Sequence, residues 1–469
     1  MKHNIGKSIL LLGTAVLSLT GVAGCSPSTQ NDKNVLNIVF LNLGYGRDWI
    51  DELAKIWEAK NPGYTIHLEA ESSAVALTQK HLYSKDNIDD LYIDNSRSWK
   101  TYALKDKFLA LDDFLEDTVD GMKIKEKVND EYHKSLSFNG HTYRLPWTSG
   151  VPGIYYNAKM FKENGWEVPQ TYDELVALCK TIKDAKVGVG SGGKATTTVA
   201  PFVFTGENMD YFDYAVFTWW AQLAGLENVK NYLKYENSAN FSKDNPAFVA
   251  LGKALQMWWN IFKDPTNYVK GSDGWKNHLA QQSFYNGYSA MMINCDWLYN
   301  ETLQYTDTGK LRDGFELKIM NTPAANDAVS THISYIVGED QFIAIPKSSV
   351  KADLAKSFIK LMISDEGIKT FAEKAHGTLA YKSTVKLTTD DAYTNSLFDY
   401  LDNATERFTN WSDSKLFLNN VIDVWTTNDL APYTRIFNSS AADPVAAYIT
   451  EVSNNANDKW NEWQKKAGQ

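Results

Sequence analysis

Cysteine is scarce in this chain of 469 residues, which contains only Cys25, Cys179 and Cys295. The three are far apart, and their spacing matches neither a disulfide framework nor a metal-binding site. Cys179 shares the apolar side of a predicted helix with Leu175 and Leu178, so we expect a buried structural thiol there. The cysteine pattern therefore excludes a small disulfide-stabilised scaffold.

Positive charge is also in short supply, with 47 Lys and Arg against 57 Asp and Glu and a net charge of −10. A nucleic-acid partner needs a basic footprint, so we expect none. The eight histidines are scattered without metal-ligand spacing, and no calcium loop pattern is met. We accordingly predict neither a metal nor an organic cofactor.

Complete catalytic motifs are missing as well. Residues 188–194 fit the spacing of a phosphate-binding loop, but Ala195 replaces the hydroxyl residue that would hold magnesium. Asp112 and Asp113 are adjacent carboxylates near a helix start, where acids more often complement the helix dipole than form a catalytic pair. Neither His-Glu-x-x-His nor Gly-x-Ser-x-Gly occurs. We therefore predict that the protein is not an enzyme.

A targeting signal occupies the first 25 residues. Lys2 and Lys7 give a positive start, and the apolar run over 9–23 is too short for a typical membrane span. Small residues before Cys25 resemble a bacterial lipobox, which implies that Cys25 becomes the first mature residue and carries lipid. The alternative is an ordinary signal peptide with a chance cysteine. Residues 26–34 are polar and are predicted to form a tether.

Aromatic residues are abundant, with 15 Trp, 25 Tyr and 21 Phe. An apolar content of 43% is enough for sizeable cores, and the length predicts two or three domain-sized units. Most of the rings must lie in those cores, but so many leave some for stacking on a ligand. The stripe that contains Trp258 and Trp259 has helical spacing and is predicted to be core.

The first third of the chain alternates strands and helices. Strands are predicted over 35–43, 65–70 and 90–93, and helices over 48–60 and 73–84, which favours a parallel sheet with crossover helices. Ligands of such sheets bind beyond the carboxyl ends of the strands. We therefore expect ligand contacts from the residues that follow the first and third strands, namely Asn42, Tyr45, Arg47, Asp94 and Ser96.

The chain is organised around residues 139–184. An Asn-Gly turn leads into a strand over 142–145 that Pro146 is predicted to stop, since proline has no N–H to donate. An irregular stretch over 149–153 precedes a second apolar strand over 154–156. Thr171 and Glu174 then form a capping-box pattern. Two strands joined by an irregular crossing are typical of a chain that passes between two lobes.

The residue order in this segment also resembles a known family. Gly-x-x-Tyr-x-Leu-Pro, Tyr-Tyr-Asn and Phe-x-x-x-Gly-x-x-x-Pro-x-Thr-Tyr-x-Glu-Leu follow one another over 140–175. This order resembles extracellular solute-binding proteins of family 1, the maltose-binding-protein-like lipoproteins that deliver sugars to ABC importers. Residues 287–297 give a second similarity, because a glycine, Ala-Met, a strand and a turn precede Trp297.

The resemblance implies an α/β fold of the two-lobed periplasmic-binding-protein type, with a ligand cleft between lobes joined by three hinge crossings. The crossings are expected near 146–152, 337–343 and 376–382. The expected boundaries are 1–25 for the signal peptide, 26–34 for the tether, 35–146 and 340–376 for lobe one, and 150–337 and 383–469 for lobe two.

The resemblance further implies a lipid-anchored, extracellular and monomeric component of an ABC importer, which binds a carbohydrate and delivers it to a membrane permease. Trp297 and Trp219 would stack on the sugar, because one of the neighbours Trp219 and Trp220 is expected to face the cleft. The remaining expected contacts are further rings, partners of sugar hydroxyls and one hinge residue: Trp147 and Tyr211; Asn42, Tyr45, Arg47, Asp94, Ser96 and Asp296; and His376.

Two alternatives stay open at this point. A lipid-anchored glycoside hydrolase would need two carboxylates about 5–10 Å apart across a cleft, and the sequence offers no recognisable pair. A binding protein for a non-sugar solute, such as a peptide or polyamine, would favour cleft carboxylates over tryptophans. The abundance of tryptophan favours a sugar.

Overall fold

We describe a computed structural model of the chain. The described residues are 32–71, 79–96, 98–189, 197–304, 306, 311–337, 341–422 and 431–469. The predicted targeting segment with Cys25, the first half of the helix predicted over 73–84, and most of the phosphate-loop-like stretch over 188–194 lie outside these residues.

Strands alternate with helices through most of the described chain. The strands, in chain order, are β1 Val35–Leu41, β2 Thr65–Glu71, β3 Leu91–Asp94, β4 Thr118–Val119, β5 Met122–Lys123, β6 Leu145–Pro146, β7 Gly153–Asn157, β8 Gly188–Val189, β9 Thr197–Thr198, β10 Ala200–Val203, β11 Ser289–Asn294, β12 Leu317–Met320, β13 Ile333–Tyr335, β14 Phe342–Ala344 and β15 Glu406–Phe408.

The helices include several short turns and one long C-terminal helix. The α-helices are α1 Asp48–Lys60, α2 Trp99–Leu104, α3 Ile124–Lys127, α4 Ala158–Asn164, α5 Tyr172–Ala185, α6 Asp213–Ala224, α7 Leu226–Tyr232, α8 Pro246–Phe262, α9 Asn277–Tyr285, α10 Leu298–Leu303, α11 Ala352–Met362, α12 Asp365–Ala375, α13 Ala392–Asn403, α14 Lys415–Leu418, α15 Pro432–Phe437 and α16 Pro444–Lys466. The 3₁₀ turns are Asp113–Glu116, Asp130–Leu136, Met209–Phe212, Ser238–Phe241, Pro265–Asn267 and Ser272–Gly274.

A five-stranded sheet with the order β2-β1-β3-β14-β6 forms the first lobe. β1 runs parallel to β2 and β3, which confirms the predicted parallel pair, while β14 is antiparallel to β3 and β6. The helix α1 connects β1 to β2, and its buried Leu53 and Trp57 belong to the same core cluster as Ile38 and Phe40 of β1. Burial of this apolar face on the sheet is the main source of stability for such a crossover.

A four-stranded sheet with the order β10-β11-β7-β12 forms the second lobe. β10 and β11 are parallel, whereas β7 is antiparallel to both β11 and β12. All of the residues of β7 and β11 are buried, as expected for central strands covered on both faces. The protein therefore has a two-lobed α/β fold of the expected class.

Three chain segments lie side by side where the chain passes between the two sheets. The Trp147 N–H donates to Gln341 O at 2.8 Å, and the Ala380 N–H donates to Trp147 O at 3.0 Å. The Val337 N–H donates to Gly150 O at 3.1 Å. These backbone bonds join the three crossing segments into a short ladder.

Local signals in the sequence mark most element boundaries correctly. Thr171 and Glu174 form the predicted capping box at α5, and Asn245 caps α8 with Pro246 in its first turn. Pro146 differs from expectation, because it lies within β6 rather than after it and pairs with Phe342. Proline is tolerated there because β6 is an edge strand of its sheet, and a missing N–H on the edge without a partner strand breaks no hydrogen bond of the sheet.

The two cysteines in the described part of the chain are free and buried. Burial raises the pKa of the Cys179 thiol to about 12, which keeps it protonated at neutral pH. The described residues of 383–422 and 431–469 contain α13 to α16, and α16 packs against α8. No helix among the described residues combines the length and the apolarity that a membrane span requires.

Replacement of Trp258 by Ala should cost about 3–5 kcal/mol of unfolding free energy, because its fully buried ring leaves a large cavity. Its neighbour Trp259, which is only partly buried, provides the matched control and should cost clearly less as Trp259→Ala. Urea unfolding followed by circular dichroism measures both values. Equal losses in the two variants would contradict the assignment of Trp258 to the core.

Candidate functional site

The loop after β1 meets the turn after β11 at a buried carboxyl group. The Tyr45 hydroxyl donates to Asp296 Oδ1 at 2.8 Å, and the Thr378 backbone N–H donates to Asp296 Oδ2 at 3.2 Å. Tyr45 follows a strand of the first sheet, Asp296 follows a strand of the second, and Thr378 lies in the third crossing. One side chain thus connects both lobes and the segment between them.

The environment of Asp296 strongly perturbs its ionisation. Its side chain is fully buried, and desolvation raises the pKa of the carboxyl group to about 7. Hydrogen bonds from Tyr45 and from the Thr378 backbone oppose this increase, because they stabilise the charged form. A carboxyl group with this pKa is partly protonated at neutral pH.

Trp297 lies next to this carboxyl group within a group of aromatic rings. Its ring centroid is 6.3 Å from that of Tyr211 and 6.0 Å from that of Tyr214, with edge-on geometry in both pairs. Tyr211 is only partly buried, and the rings of Tyr211 and Tyr214 are 5.1 Å apart. Edge-on and offset pairs of this kind are the favoured aromatic contacts. They hold Trp297 in one orientation at the lobe junction.

Two glycines allow the close approach of Trp297 to the first lobe and to a crossing segment. A Cβ atom on Gly44 would lie 2.9 Å from Trp297 Cβ. A Cβ atom on Gly150 would lie 2.9 Å from Cys295 Sγ and 3.4 Å from Trp297 Cζ3. A side chain at Gly44 would therefore displace Trp297, and a side chain at Gly150 would displace Cys295.

The polar residues after β3 are turned towards their own backbone. Asp94 is fully buried, and its Oδ1 accepts the N–H groups of Asn95 at 2.7 Å and Ser96 at 3.1 Å. Ser96 Oγ accepts the Ser98 N–H at 3.1 Å. The Asn42 backbone N–H donates to Glu71 O at 2.8 Å and extends the pairing of β1 with β2. These contacts shape the strand ends, and the ligand roles expected for Asn42, Asp94 and Ser96 stay predictions.

Arg47 and His376 also have protein partners. The Arg47 guanidinium makes two bonds to the Asp51 carboxylate, at 2.7 and 2.8 Å, on the exposed surface of α1. His376 ends α12, and its Nδ1 lies 3.3 Å from Asp391 Oδ2 and 3.2 Å from Thr394 Oγ1. None of these contacts of Arg47 and His376 involves Asp296.

Two predicted stacking rings are core residues instead. Trp219 is 1% exposed, and its indole N–H donates to Pro323 O at 2.9 Å. Its neighbour Trp220 is also fully buried and donates to Ala247 O, so the expectation that one of the two faces the cleft is wrong. Trp147 is fully buried between Trp49 and Phe371. Core packing occupies both rings more completely than that of Trp297, which is 8% exposed, so Trp147 and Trp219 are removed from the candidate site.

A separate cavity of about 750 Å³ lies between residues 130–134 and a wall formed by α7 and residues 405–414. Trp411 lines it and is only partly buried, with Lys100 Nζ 5.2 Å from the centre of the indole ring. The other walls carry apolar groups and both signs of charge, among them Glu131, His133, Leu226, Lys230 and Phe408. Trp297 does not line this cavity, so the chain offers two distinct aromatic regions between its lobes.

Glu69, His81 and Asp89 are the described residues whose donor atoms lie closest to a metal-binding arrangement, within 4.8 Å of one another. His81 Nδ1 is 2.9 Å from Asp89 Oδ2, and the Tyr92 hydroxyl donates to the same oxygen at 2.7 Å. The key carboxylate oxygen is therefore already satisfied by protein groups. We interpret the group as an ion-pair network that fastens residues 79–82 to the sheet.

Comparison with known proteins identifies the family of this chain. The sequence profile described as "Bacterial extracellular solute-binding protein" matches residues 44–369. The chain belongs to this family. It is a family of binding proteins rather than enzymes, and its members are extracellular.

Two curated relatives carry sugar names. The chain is 23% identical over 297 residues to the "Multiple sugar-binding protein" of Streptococcus mutans serotype c, and the match covers 62% of this chain and 65% of that protein. It is 23% identical over 399 residues to the "Diacetylchitobiose binding protein NgcE" of Streptomyces coelicolor, with 80% of each protein covered. The chain thus spans about two thirds of the first relative and four fifths of the second.

Solved structures share the fold of this solute-binding protein. RafE in complex with raffinose superposes with a TM-score of 0.62 at 18% identity, over 90% of this chain and 99% of that one. Lmo0181 of Listeria monocytogenes, solved in complex with cycloalternan, gives a TM-score of 0.61 at 16% identity, over 92% of this chain and all of that one. At these identities the likeness establishes the fold alone.

The structure brings together four of the predicted site residues, Tyr45, Tyr211, Asp296 and Trp297. Sequence reasoning missed Tyr214 and Thr378, which complete the same group through ring packing and a backbone N–H. Tyr214 follows Tyr211 at helical spacing, and this spacing was an available signal. Nothing in the local sequence around Thr378 indicates that its N–H meets a carboxylate 82 residues away.

Replacement of Gly150 by Ala should lower the unfolding free energy by about 1–3 kcal/mol, because the new Cβ atom would lie 2.9 Å from Cys295 Sγ and 3.1 Å from Val337 Cβ. A shift of Cys295 should also move Trp297, two residues further along the chain, and change the tryptophan fluorescence. Gly274→Ala is the control, since a Cβ atom there meets no heavy atom within 4 Å. Urea unfolding and emission spectra measure both effects. A Gly150→Ala variant that matches the Gly274→Ala variant in both measurements would refute this packing.

Proposed function

We propose that this protein is the extracellular, lipid-anchored substrate-binding component of an ABC importer. It binds a carbohydrate, most simply an oligosaccharide, in the cleft between its lobes and delivers it to a membrane permease. The observation that carries the proposal is Trp297, an aromatic ring held by tyrosines at the junction of two lobes. Sugars present apolar C–H faces, and aromatic rings at the junction are suited to pack against them.

The names of relatives support the choice of a carbohydrate. The names of two relatives refer to multiple sugars and to diacetylchitobiose, and a protein of the same fold was solved with raffinose. Diacetylchitobiose and raffinose each contain more than one sugar unit. An oligosaccharide is therefore the class of ligand that we propose for this chain.

The cleft itself follows from the two sheets and the crossing ladder. We propose the lobe boundaries given above, 35–146 with 340–376 and 150–337 with 383–469. Closing such a pair of lobes would enclose the ligand and exclude water from its hydrogen bonds. The closed form would dock on the permease, a separate ATPase would drive transport, and the binding protein would act as a monomer.

Trp297→Ala should weaken carbohydrate binding about thirtyfold or more, because a central aromatic anchor contributes about 2 kcal/mol or more to affinity. The ligand is first found by a thermal-shift screen of the mature chain against mono- and oligosaccharides, in which a hundredfold excess over Kd stabilises by about 2.7 kcal/mol. Titration calorimetry then gives Kd for each variant. Trp259→Ala is the control tryptophan, because Trp259 lies on α8 away from the junction.

Trp411→Ala tests the second aromatic region in the same titrations. Normal binding by this variant and loss of binding by Trp297→Ala would support the site at the lobe junction. Loss of binding only in Trp411→Ala would move the ligand to the 750 Å³ cavity. A thermal shift with peptides or polyamines, and with no carbohydrate, would contradict the carbohydrate proposal. Recovery of the sugar in cleaved form would favour a hydrolase.

Cys25→Ala should release the protein from the membrane, because the lipid is proposed to be attached to that thiol. Cell fractionation and immunoblotting should find the native protein with the membranes and the variant in the medium or as an unprocessed precursor. Cys179→Ala is the control, since Cys179 is buried in the second lobe. Membrane association of the Cys25→Ala variant at the native size would refute the anchor.

A further inference from the structure

Asp296 differs from an open ligand contact because protein donors occupy both of its carboxylate oxygens. Tyr45 donates to Oδ1 at 2.8 Å and the Thr378 N–H to Oδ2 at 3.2 Å, and the side chain is fully buried. A sugar hydroxyl would have to compete with these donors for a group that solvent does not reach. The geometry therefore favours a role for Asp296 within the protein.

The donors to Asp296 come from different parts of the chain, the loop after β1 and the third crossing. Tyr45 lies in the loop after β1, and its ring is held against the third crossing, where a Cβ atom on Gly377 would lie 2.6 Å from Tyr45 Cε1. Within the second lobe, the Tyr393 hydroxyl donates to the backbone oxygen of Asp296 at 2.7 Å. Tyr393 thus bonds Asp296 to its own lobe, and Tyr45 bonds it to the other lobe.

Trp297 immediately follows Asp296, so any movement of the one displaces the other. The loop that provides Tyr45 also contains Gly44, whose absent side chain leaves room for Trp297. The hydrogen bond and the aromatic ring therefore lie at the same point of the lobe junction. Formation of the bond places Trp297 against the first lobe.

We propose that Asp296 is a positioning residue that latches the closed cleft: its carboxyl group bonds to Tyr45 across the lobe junction and holds Trp297 in its ligand-binding position. This inference rests on the proposed function, because a latch matters only if the cleft opens and closes around a ligand. It reassigns Asp296 from sugar contact to closure.

The latch carries a pH signature. The titratable groups that face the Asp296 carboxyl group are the hydroxyls of Tyr45, Tyr155 and Tyr393 and the thiol of Cys295, and Thr378 adds its N–H and its hydroxyl. In this structure, which the proposal takes as the closed form, the pKa of the carboxyl group is about 7, whereas solvent in an open cleft would return it towards its ordinary value of 3.8. Because the closed form has the higher pKa, closure takes up a proton. Its favourable contribution is complete below about pH 4 and is lost as the pH rises through about 7.

Ligand affinity of the wild-type protein should therefore fall on the order of tenfold between about pH 5.5 and pH 7.5, within the limit of tenfold per pH unit that one proton allows. Asp296→Asn keeps the size of the side chain and remains neutral, so its affinity should be nearly independent of pH and at least equal to that of the wild type at pH 7.5. Calorimetry with the carbohydrate found in the screen measures both profiles. Circular dichroism verifies that the variant is folded.

Tyr45→Phe removes the donor from the other lobe and should weaken binding on the order of tenfold at neutral pH, because a hydrogen bond to a charged group is lost. Tyr393→Phe is the matched control, since it removes a hydroxyl that contacts the same residue from within the second lobe. The control should lower the thermal midpoint and retain a pH-dependent affinity, because the Asp296 carboxyl group and its bond to Tyr45 both remain. An Asp296→Asn variant with the wild-type pH profile, or equal affinities of Tyr45→Phe and Tyr393→Phe, would overturn the latch.

Failure of the proposed function would look different. If no carbohydrate binds to any form of the protein, small-angle scattering decides the latch without a ligand. A larger radius of gyration for Tyr45→Phe than for Tyr393→Phe supports a latch in a protein with another ligand. Identical scattering of the two variants rejects it.

Discussion

The short ladder of backbone hydrogen bonds between the crossing segments is the constraint on which the rest of the structure depends. Buried polar side chains reinforce it, since the Gln341 N–H donates to Thr148 Oγ1 at 3.2 Å and the Tyr132 hydroxyl donates to Ser149 Oγ at 3.0 Å. Satisfied polar groups of this kind hold one arrangement, because their loss would leave buried donors and acceptors without partners. The ladder thereby sets how the loop after β1 faces the turn after β11, and hence where Trp297 lies.

Most of the fold was predictable because its signals are local. The parallel order of β1 and β2, the caps of α5 and α8, and the irregular crossing after β6 depend on residues close together in sequence. The tryptophans of α6 show where this reasoning ends. Helical spacing predicts one buried side, but α6 is buried at eleven of its twelve positions because β13, α8 and the second sheet surround it. Periodicity carries no information about such a helix, which is apolar around its whole circumference.

The candidate site was predictable only in part, for a related reason. Trp297 could be found from the residues that precede it, and Tyr45 from its position after a strand of a parallel sheet. The bond between Tyr45 and Asp296 joins residues 251 positions apart, and no rule of spacing predicts it. The same holds for Gly150, whose importance comes from Cys295 and Trp297 and is not apparent from its own neighbours. Contacts of this kind depend on how two lobes meet.

A buried carboxyl group at such a meeting point is a poor choice for stability alone, because removal of its charge from water is costly and hydrogen bonds recover only part of that cost. Apolar packing between the lobes would stabilise their closed arrangement more strongly. A cleft that is proposed to release its ligand needs a closed arrangement of low stability. A ligand shifts an opening equilibrium only by the difference in its affinity for the two states, so the protein's own preference for closure must stay small. Asp296 meets this requirement, because the cost of its burial offsets the bonds that it makes. In the proposed latch, an approximate balance of these two effects would leave the ligand to decide between the open and the closed form.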